Sequence, residues 1–146
     1  MVVTVNVPRM RPPLHGTSEL ERLRKWVKDE TERGVPLQHI EDSLMRGYFQ
    51  HRDGFSIECA TVAREVMSVM DHRHREGEDH EAAGHEEEAI RCYDENVRDF
   101  YMRPSSGERL IKILRLRGDE ARSNAVLDAL EQSWREPETL AVVPTR

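Results

Sequence analysis

Apolar side chains recur at helical spacing in six segments of this chain, and glycine or proline stands between most of them. The third segment, residues 56–70, is apolar around most of a helix circumference, which indicates a central helix. The segments follow one another closely, so successive helices should be antiparallel neighbours. The pattern predicts an all-α fold of about six helices, either an antiparallel helical bundle or a short helical-hairpin solenoid.

Residues that favour helix ends lie at the boundaries of these segments. Ser18 with Glu21, and Ser105 with Glu108, have the spacing of a capping box, and Asp119 can cap the sixth helix. Glycines that can end a helix follow three of the segments: Gly34, Gly84 and Gly118.

The ends of the chain are expected to be irregular. We predict a flexible N-terminal arm at residues 1–16, a single helical domain at 17–135 and a flexible C-terminal tail at 136–146. The alternating valines of residues 3–7 would also suit a short strand or an extended arm that docks on a partner.

Negative charge is concentrated in one segment. Residues 71–88 contain eight acids and two arginines, and so carry the whole net charge of −6. The rest of the chain is balanced, which argues against nucleic-acid binding. The sequence has neither the long apolar run of a membrane span nor the apolar core of a signal peptide. We therefore expect a protein partner or a second copy of this chain, and no membrane.

The two cysteines are predicted to be structural. Cys59 and Cys92 lack CxxC spacing, and both fall within apolar helical patterns. We expect buried free thiols with raised pKa values in a reducing, cytoplasmic environment, and a disulfide between them is the alternative.

The histidine-rich segment MDHRHREGEDHEAAGHEEE, residues 70–88, is the strongest candidate for site chemistry. On one continuous helix His72, Glu76 and His80 share a face, where two imidazoles and a carboxylate can hold a divalent metal. Gly77 weakens that helix, so a solvated helix face or a mobile loop is the competing interpretation. A third hypothesis is a pH switch, in which neighbouring carboxylates favour protonation of the histidines.

A basic strip at residues 103–117 contrasts with this acidic segment. The strip can meet the acidic segment of a second copy or an acidic partner, and ordinary solvated arginines around a buried helix are the simpler interpretation. The predicted contact surface centres on the hairpin at 70–101. Its predicted partner-binding residues are Arg73, Glu78, Glu86, Glu87, Arg109, Lys112 and Arg115.

Gly84 and Gly118 lie 34 residues apart, and each stands between two helical segments. This period, and the sequence GHEEEAIRCY that runs from Gly84 to Tyr93, resemble the tetratricopeptide repeat in two partial copies within residues 70–135. In that alignment Gly77 falls where the first helix of the repeat has a small residue. The resemblance implies stacked helical hairpins that bind a protein or peptide.

These features favour a non-catalytic protein–protein interaction or scaffold module within a larger assembly. The chain contains no GxSxG, P-loop or GxGxxG motif, and no cofactor is expected. The alternative is a small metal-binding helical protein, either a sensor or a metal-dependent enzyme, that uses the segment 71–88.

Overall fold

The computed structural model describes residues 13–50, 55–101, 105–133 and 143–144. Throughout these ranges the regular structure is helical. The six helices are α1 (Pro13–Glu32), α2 (Leu37–Gln50), α3 (Phe55–Ala82), α4 (Glu86–Arg98), α5 (Ser106–Leu116) and α6 (Glu120–Ser133). The predicted all-α fold is confirmed.

The helices pack against one another in a bundle-like arrangement in which α3 is central. Helices α1, α2 and α4 all pack against α3, as the apolar circumference of its first half predicts. Helix α5 packs on α4, and α6 packs on both α5 and α4. Most neighbours in space are therefore neighbours in the chain.

Apolar side chains form two separate clusters. The first cluster joins α1, α2 and the first half of α3, and Tyr101 completes it. Its buried members are Leu23, Leu37, Ile40, Leu44, Cys59, Val62, Ala63, Val66, Met70 and Tyr101. The second cluster joins α4, α5 and α6, and its buried members are Ala89, Ile90, Tyr93, Val97, Leu110, Ile111, Ile113, Leu114 and Val126. The molecule thus has two halves, and α3 runs along both.

The predicted ends of the later helices are confirmed. Ser105 caps α5 by accepting a hydrogen bond from the Glu108 amide at 3.2 Å. Asp119 accepts one from the Arg122 amide at the start of α6, also at 3.2 Å. The three helix-ending glycines adopt the left-handed backbone conformation that glycine tolerates best: Gly34 (φ 91°), Gly84 (φ 81°) and Gly118 (φ 78°).

The predicted start of the first helix is wrong. Helix α1 begins at Pro13, so Ser18 lies inside the helix and cannot cap it. Proline is favoured in the first turn of a helix, because its fixed φ suits the helix and its missing N–H would have had no helical partner. The valines of residues 3–7 lie outside the described residues.

Part of the C-terminal segment meets the first cluster. Val143 is partly buried and packs against that cluster, although α6 belongs to the second one. Residues 134–142 lie outside the described part of the chain, so the prediction of a flexible tail stays a prediction.

Both cysteines are buried and free, as predicted. Burial raises the pKa of the Cys59 thiol to about 11, and the nearby Glu58 carboxylate contributes to the rise. Burial also raises the pKa of Cys92. These thiols are protonated near neutral pH, so they are poor nucleophiles.

The tetratricopeptide resemblance stays a prediction. Gly84 and Gly118 do share one backbone conformation, as equivalent turns in a repeat should. Tyr93 is fully buried, however, whereas its counterpart Leu127 is 38% exposed. The same position of the repeat is therefore buried in the first partial copy and exposed in the second.

Candidate functional site

The histidine-rich segment is a regular helix as far as Ala82, where α3 ends. Gly77 lies within this helix and does not interrupt it. The glycine allows the Tyr93 ring of α4 to approach the helix closely. A Cβ atom at position 77 would lie 2.8 Å from Tyr93 Cδ1 and closer still to Cε1. The expected role of Gly77 is thus corrected: it is needed for packing between α3 and α4.

His74 shows that the segment is only partly a solvated face. This side chain is 4% exposed, and its Nδ1 lies 2.8 Å from the Ser106 hydroxyl oxygen of α5. Asn96 of α4, which is fully buried, donates through Nδ2 to the Ser106 hydroxyl at 3.0 Å and to the Met70 carbonyl at 2.8 Å. Three helices therefore meet through buried polar groups.

One arrangement of protons satisfies these hydrogen bonds. Because Nδ2 of Asn96 donates to Ser106, the single proton of the Ser106 hydroxyl is free to be donated to Nδ1 of His74. In this arrangement His74 is neutral, with its proton on Nε2. Burial lowers the pKa of His74 below its ordinary value of 6.5. This direction is opposite to the predicted pH switch, in which carboxylates were expected to favour the protonated form.

A second polar contact lies beside the first. Arg73 Nη1 donates to Asp99 Oδ2 at 2.6 Å and also reaches Asn96 Oδ1 at 3.5 Å. The other carboxylate oxygen of Asp99 accepts from the Leu37 amide at 2.9 Å, at the start of α2. We call His74, Asn96, Ser106, Arg73 and Asp99 the polar joint. It connects α2, α3, α4 and α5 at the boundary of the two apolar clusters.

Asn96 is the member of the joint that sequence analysis could have found. It occupies an otherwise apolar stripe of α4, beside Tyr93 and Val97. A buried amide costs free energy unless it is hydrogen-bonded, so a polar residue in such a stripe signals a specific partner. Ser106 gave no such signal, because serine is common in the first turn of a helix.

The predicted metal ligands are only partly brought together. His72 Nε2 lies 3.2 Å from Glu76 Oε2 on the exposed face of α3. His80 instead lies beside His85, with ring centroids 5.7 Å apart. Within the described ranges, no group of three or more His, Cys, Asp or Glu side chains is arranged to hold a metal ion. The metal site stays a prediction.

The acidic segment and the basic strip meet within one chain. Arg109 lies 3.1 Å from Glu78 and 3.5 Å from Glu81, joining α5 to α3. Arg117 lies 2.7 Å from Glu87 and 3.7 Å from Glu86, joining the end of α5 to the start of α4. These charges pair within one chain, and the predicted contact of the basic strip with a second copy or an acidic partner stays a prediction.

The remaining predicted partner-binding residues lie in different surroundings. Arg73 belongs to the polar joint, where it also lies 3.7 Å from Glu95. Lys112 and Arg115 are exposed on α5 and form no ion pair with any residue that the structure describes. They are the two predicted partner-binding cations left available to a partner.

An apolar groove of about 320 Å³ lies between α1 and α3. Its lining residues are Arg24, Val27, Thr31, Leu37, Val62, Glu65, Val66, Val69 and Arg73. The groove could not be predicted from the sequence, because helical spacing shows which residues can face inward but not where two helices leave a gap.

Comparison with protein-family models, with characterised proteins and with solved structures gives no match for this chain. None of the helices that the structure describes has the length and apolar character needed to span a bilayer.

Proposed function

We propose that this protein is a non-catalytic interaction module that holds an amphipathic helix of a partner protein in the groove between α1 and α3. The observation that carries the proposal is the groove itself. It is open along one side of the first cluster, and its apolar walls are supplied by two long helices.

Among the valines of the groove, Val69 has the most surface left for a partner to cover, since Val62 and Val66 are already buried. Val69 of α3 is 46% exposed, which is a high exposed fraction for a valine beside a buried cluster. Val66 and Val62 continue the same face of α3 towards its first turn, and Val27 lies opposite them on α1. Removing apolar surface from water stabilises a complex by about 25 cal/mol per Å². An apolar stripe on a partner is therefore the chemistry that fits.

The charges at the rim are already paired within the chain. Arg24 donates to both carboxylate oxygens of Glu65, at 3.0 and 2.6 Å, and so bridges α1 and α3. Arg73, at another part of the rim, is bound to Asp99. The rim has little net attraction left for an ion, so the partner must contribute apolar side chains. A helix with such residues at i, i+3 or i+4, and i+7 provides them in one row.

The test replaces Val69 and uses Leu116 as its matched control. Leu116 is 80% exposed on α5, on the other half of the molecule, so both changes add a charge to an already exposed apolar position. A photo-crosslinking residue at position 69, with position 116 as control, identifies the partner, which is then purified. Val69→Asp should weaken binding of that partner about tenfold or more, corresponding to at least ~1.4 kcal/mol. Leu116→Asp should leave the affinity unchanged.

Two results would contradict the proposed function. One is crosslinking from position 116 in preference to position 69. The other is equal affinity of Val69→Asp and the unchanged protein for the purified partner, with both proteins folded by circular dichroism.

A further inference from the structure

A second cavity, of about 200 Å³, lies between α4 and α6. We propose that this cavity binds a free small-molecule carboxylate whose apolar part is a single ring or a short hydrocarbon chain. The Arg122 guanidinium holds the carboxylate, and the Phe100 ring forms one wall for the apolar part. The proposal does not depend on the proposed function, because this cavity and the groove between α1 and α3 share no lining residue.

The base of the cavity is apolar. Val97 of α4 and Val126 of α6 are buried members of the second cluster, and both line the cavity. Ala125 and Ala129 complete the side formed by α6, where their small side chains leave the space open. The volume is below the roughly 300–1,000 Å³ of pockets that hold drug-sized ligands, so the ligand must be small.

Phe100 lies at this cavity in a backbone conformation that favours glycine. Its φ is 58°, and α4 ends with the same hydrogen bonds as α1, α3 and α5. The Phe100 amide donates to the Val97 carbonyl at 3.0 Å, and the Tyr101 amide donates to the Asn96 carbonyl at 2.9 Å. The equivalent positions of the other three helices are occupied by Gly34, Gly84 and Gly118. A side chain here costs free energy, which its contacts must offset.

The Phe100 ring is already held in place by a residue outside the cavity. It packs against the His39 imidazole of α2, with ring centroids 5.1 Å apart and planes inclined at 53°. An ordered wall loses little conformational entropy when a ligand packs against it. A second ring is well suited to this wall, since aromatic rings pack favourably on one another.

The charged groups of the lining favour a single negative charge. Arg98 pairs with Asp94 at 2.8 Å, whereas Arg122 forms no ion pair with any residue that the structure describes. Arg122 also lies in the first turn of α6, where the helix dipole favours an anion. The Asp119 carboxylate, which accepts from the Arg122 amide, offsets this effect in part. A planar carboxylate matches the guanidinium donors, while a dianion would be repelled by Asp94.

The experiment is an NMR titration of the full chain with phenylacetate, and with phenylacetamide as the neutral ligand of the same shape. A ligand of this size should bind with a Kd on the order of 1 mM. Phenylacetate should shift the amide signals of Val97, Val126 and Ala129 in a saturable way. Phenylacetamide should bind about tenfold more weakly or less, because it lacks the charge that Arg122 recognises.

Three variants separate the roles of charge and ring. Arg122→Met removes the charge at an exposed position, so it should weaken phenylacetate binding about tenfold and leave phenylacetamide binding unchanged. Lys112→Met makes the same change at an exposed cation of α5 outside the lining and should alter neither affinity. Phe100→Gly removes the ring while suiting the backbone, so the folded variant should bind both ligands more weakly.

Three results would overturn the proposal. The first is the absence of saturable shifts at the cavity amides up to about 10 mM phenylacetate, a concentration well above the expected Kd. The second is equal affinity of the unchanged protein for phenylacetate and phenylacetamide. The third is unchanged phenylacetate binding in Arg122→Met or in a folded Phe100→Gly variant.

Discussion

At the residue scale, the contact between Gly77 and Tyr93 determines how closely α3 and α4 approach. The Tyr93 ring lies over the glycine, and its hydroxyl is fixed by Glu81, one turn farther along α3. The ring therefore cannot move aside cheaply to admit a side chain. At this contact the acidic segment of α3 packs against Tyr93, a member of the second cluster.

The substitution Gly77→Ala should destabilise the protein by about 1–3 kcal/mol, because overpacking of the Tyr93 ring outweighs the better helix propensity of alanine. Urea unfolding measures the change. The matched control is the same substitution in a Tyr93→Leu background, where the smaller side chain makes room and the alanine should cost less. An alanine that stabilised the unchanged protein would show that the two helices can separate freely.

At the element scale, α5 depends on the cap at its first turn. Ser105 fixes the helix start, and Ser106 follows directly with the hydroxyl that His74 and Asn96 contact. A frayed first turn would therefore weaken both the helix and the polar joint.

We expect Ser105→Ala to lower the free energy of unfolding by about 1 kcal/mol, since an amide of the first turn loses its acceptor. Ser105→Asp retains an acceptor at the same place and should remain close to the unchanged protein. Thermal or urea unfolding of the two variants decides this. Equal destabilisation by both variants would mean that packing of the serine, not its cap, matters.

The boundaries of the helices can be predicted from the sequence wherever their signals are local. Ser105, Asp119 and the three helix-ending glycines act through the backbone of their own turn, so the residue type alone identifies them. Ser18 misled the prediction because Pro13 offers an earlier helix start. The role of His74 could not be predicted, because it depends on residues of α4 and α5 that are distant in the sequence. For Gly77 the repeat resemblance indicated a position for a small residue, but not that Tyr93 of α4 packs against it.

At the scale of the whole molecule, the polar joint connects two apolar clusters that have no side chain in common among the described residues. Asn96 is its centre, since it donates to α3 and to α5 from a fully buried position on α4. The joint has a specific geometry, so it fixes how the two halves are oriented in a way that apolar contacts alone do not.

The substitution Asn96→Ala should cost about 1–3 kcal/mol and reduce the coupling between the halves, because it leaves buried acceptors without a donor. Hydrogen exchange should show α5 opening at a lower free energy than α2 in this variant, whereas we expect the two helices to open together in the unchanged protein. Asn124→Ala, at an exposed position of α6, is the control. If α2 and α5 still exchanged together in Asn96→Ala, another contact would couple the halves.

Helix α3 has a consequence for how this chain tolerates changes of length. It contributes Met70 to the first cluster and, seven residues later, Gly77 to the contact with the second half. One inserted or deleted residue between them would rotate everything beyond by about 100°, since an α-helix has about 3.6 residues per turn. The helix face that carries Gly77, and with an earlier insertion also His74, would then turn away from α4 and α5. The number of residues in this one helix therefore determines how the two halves are rotated relative to each other.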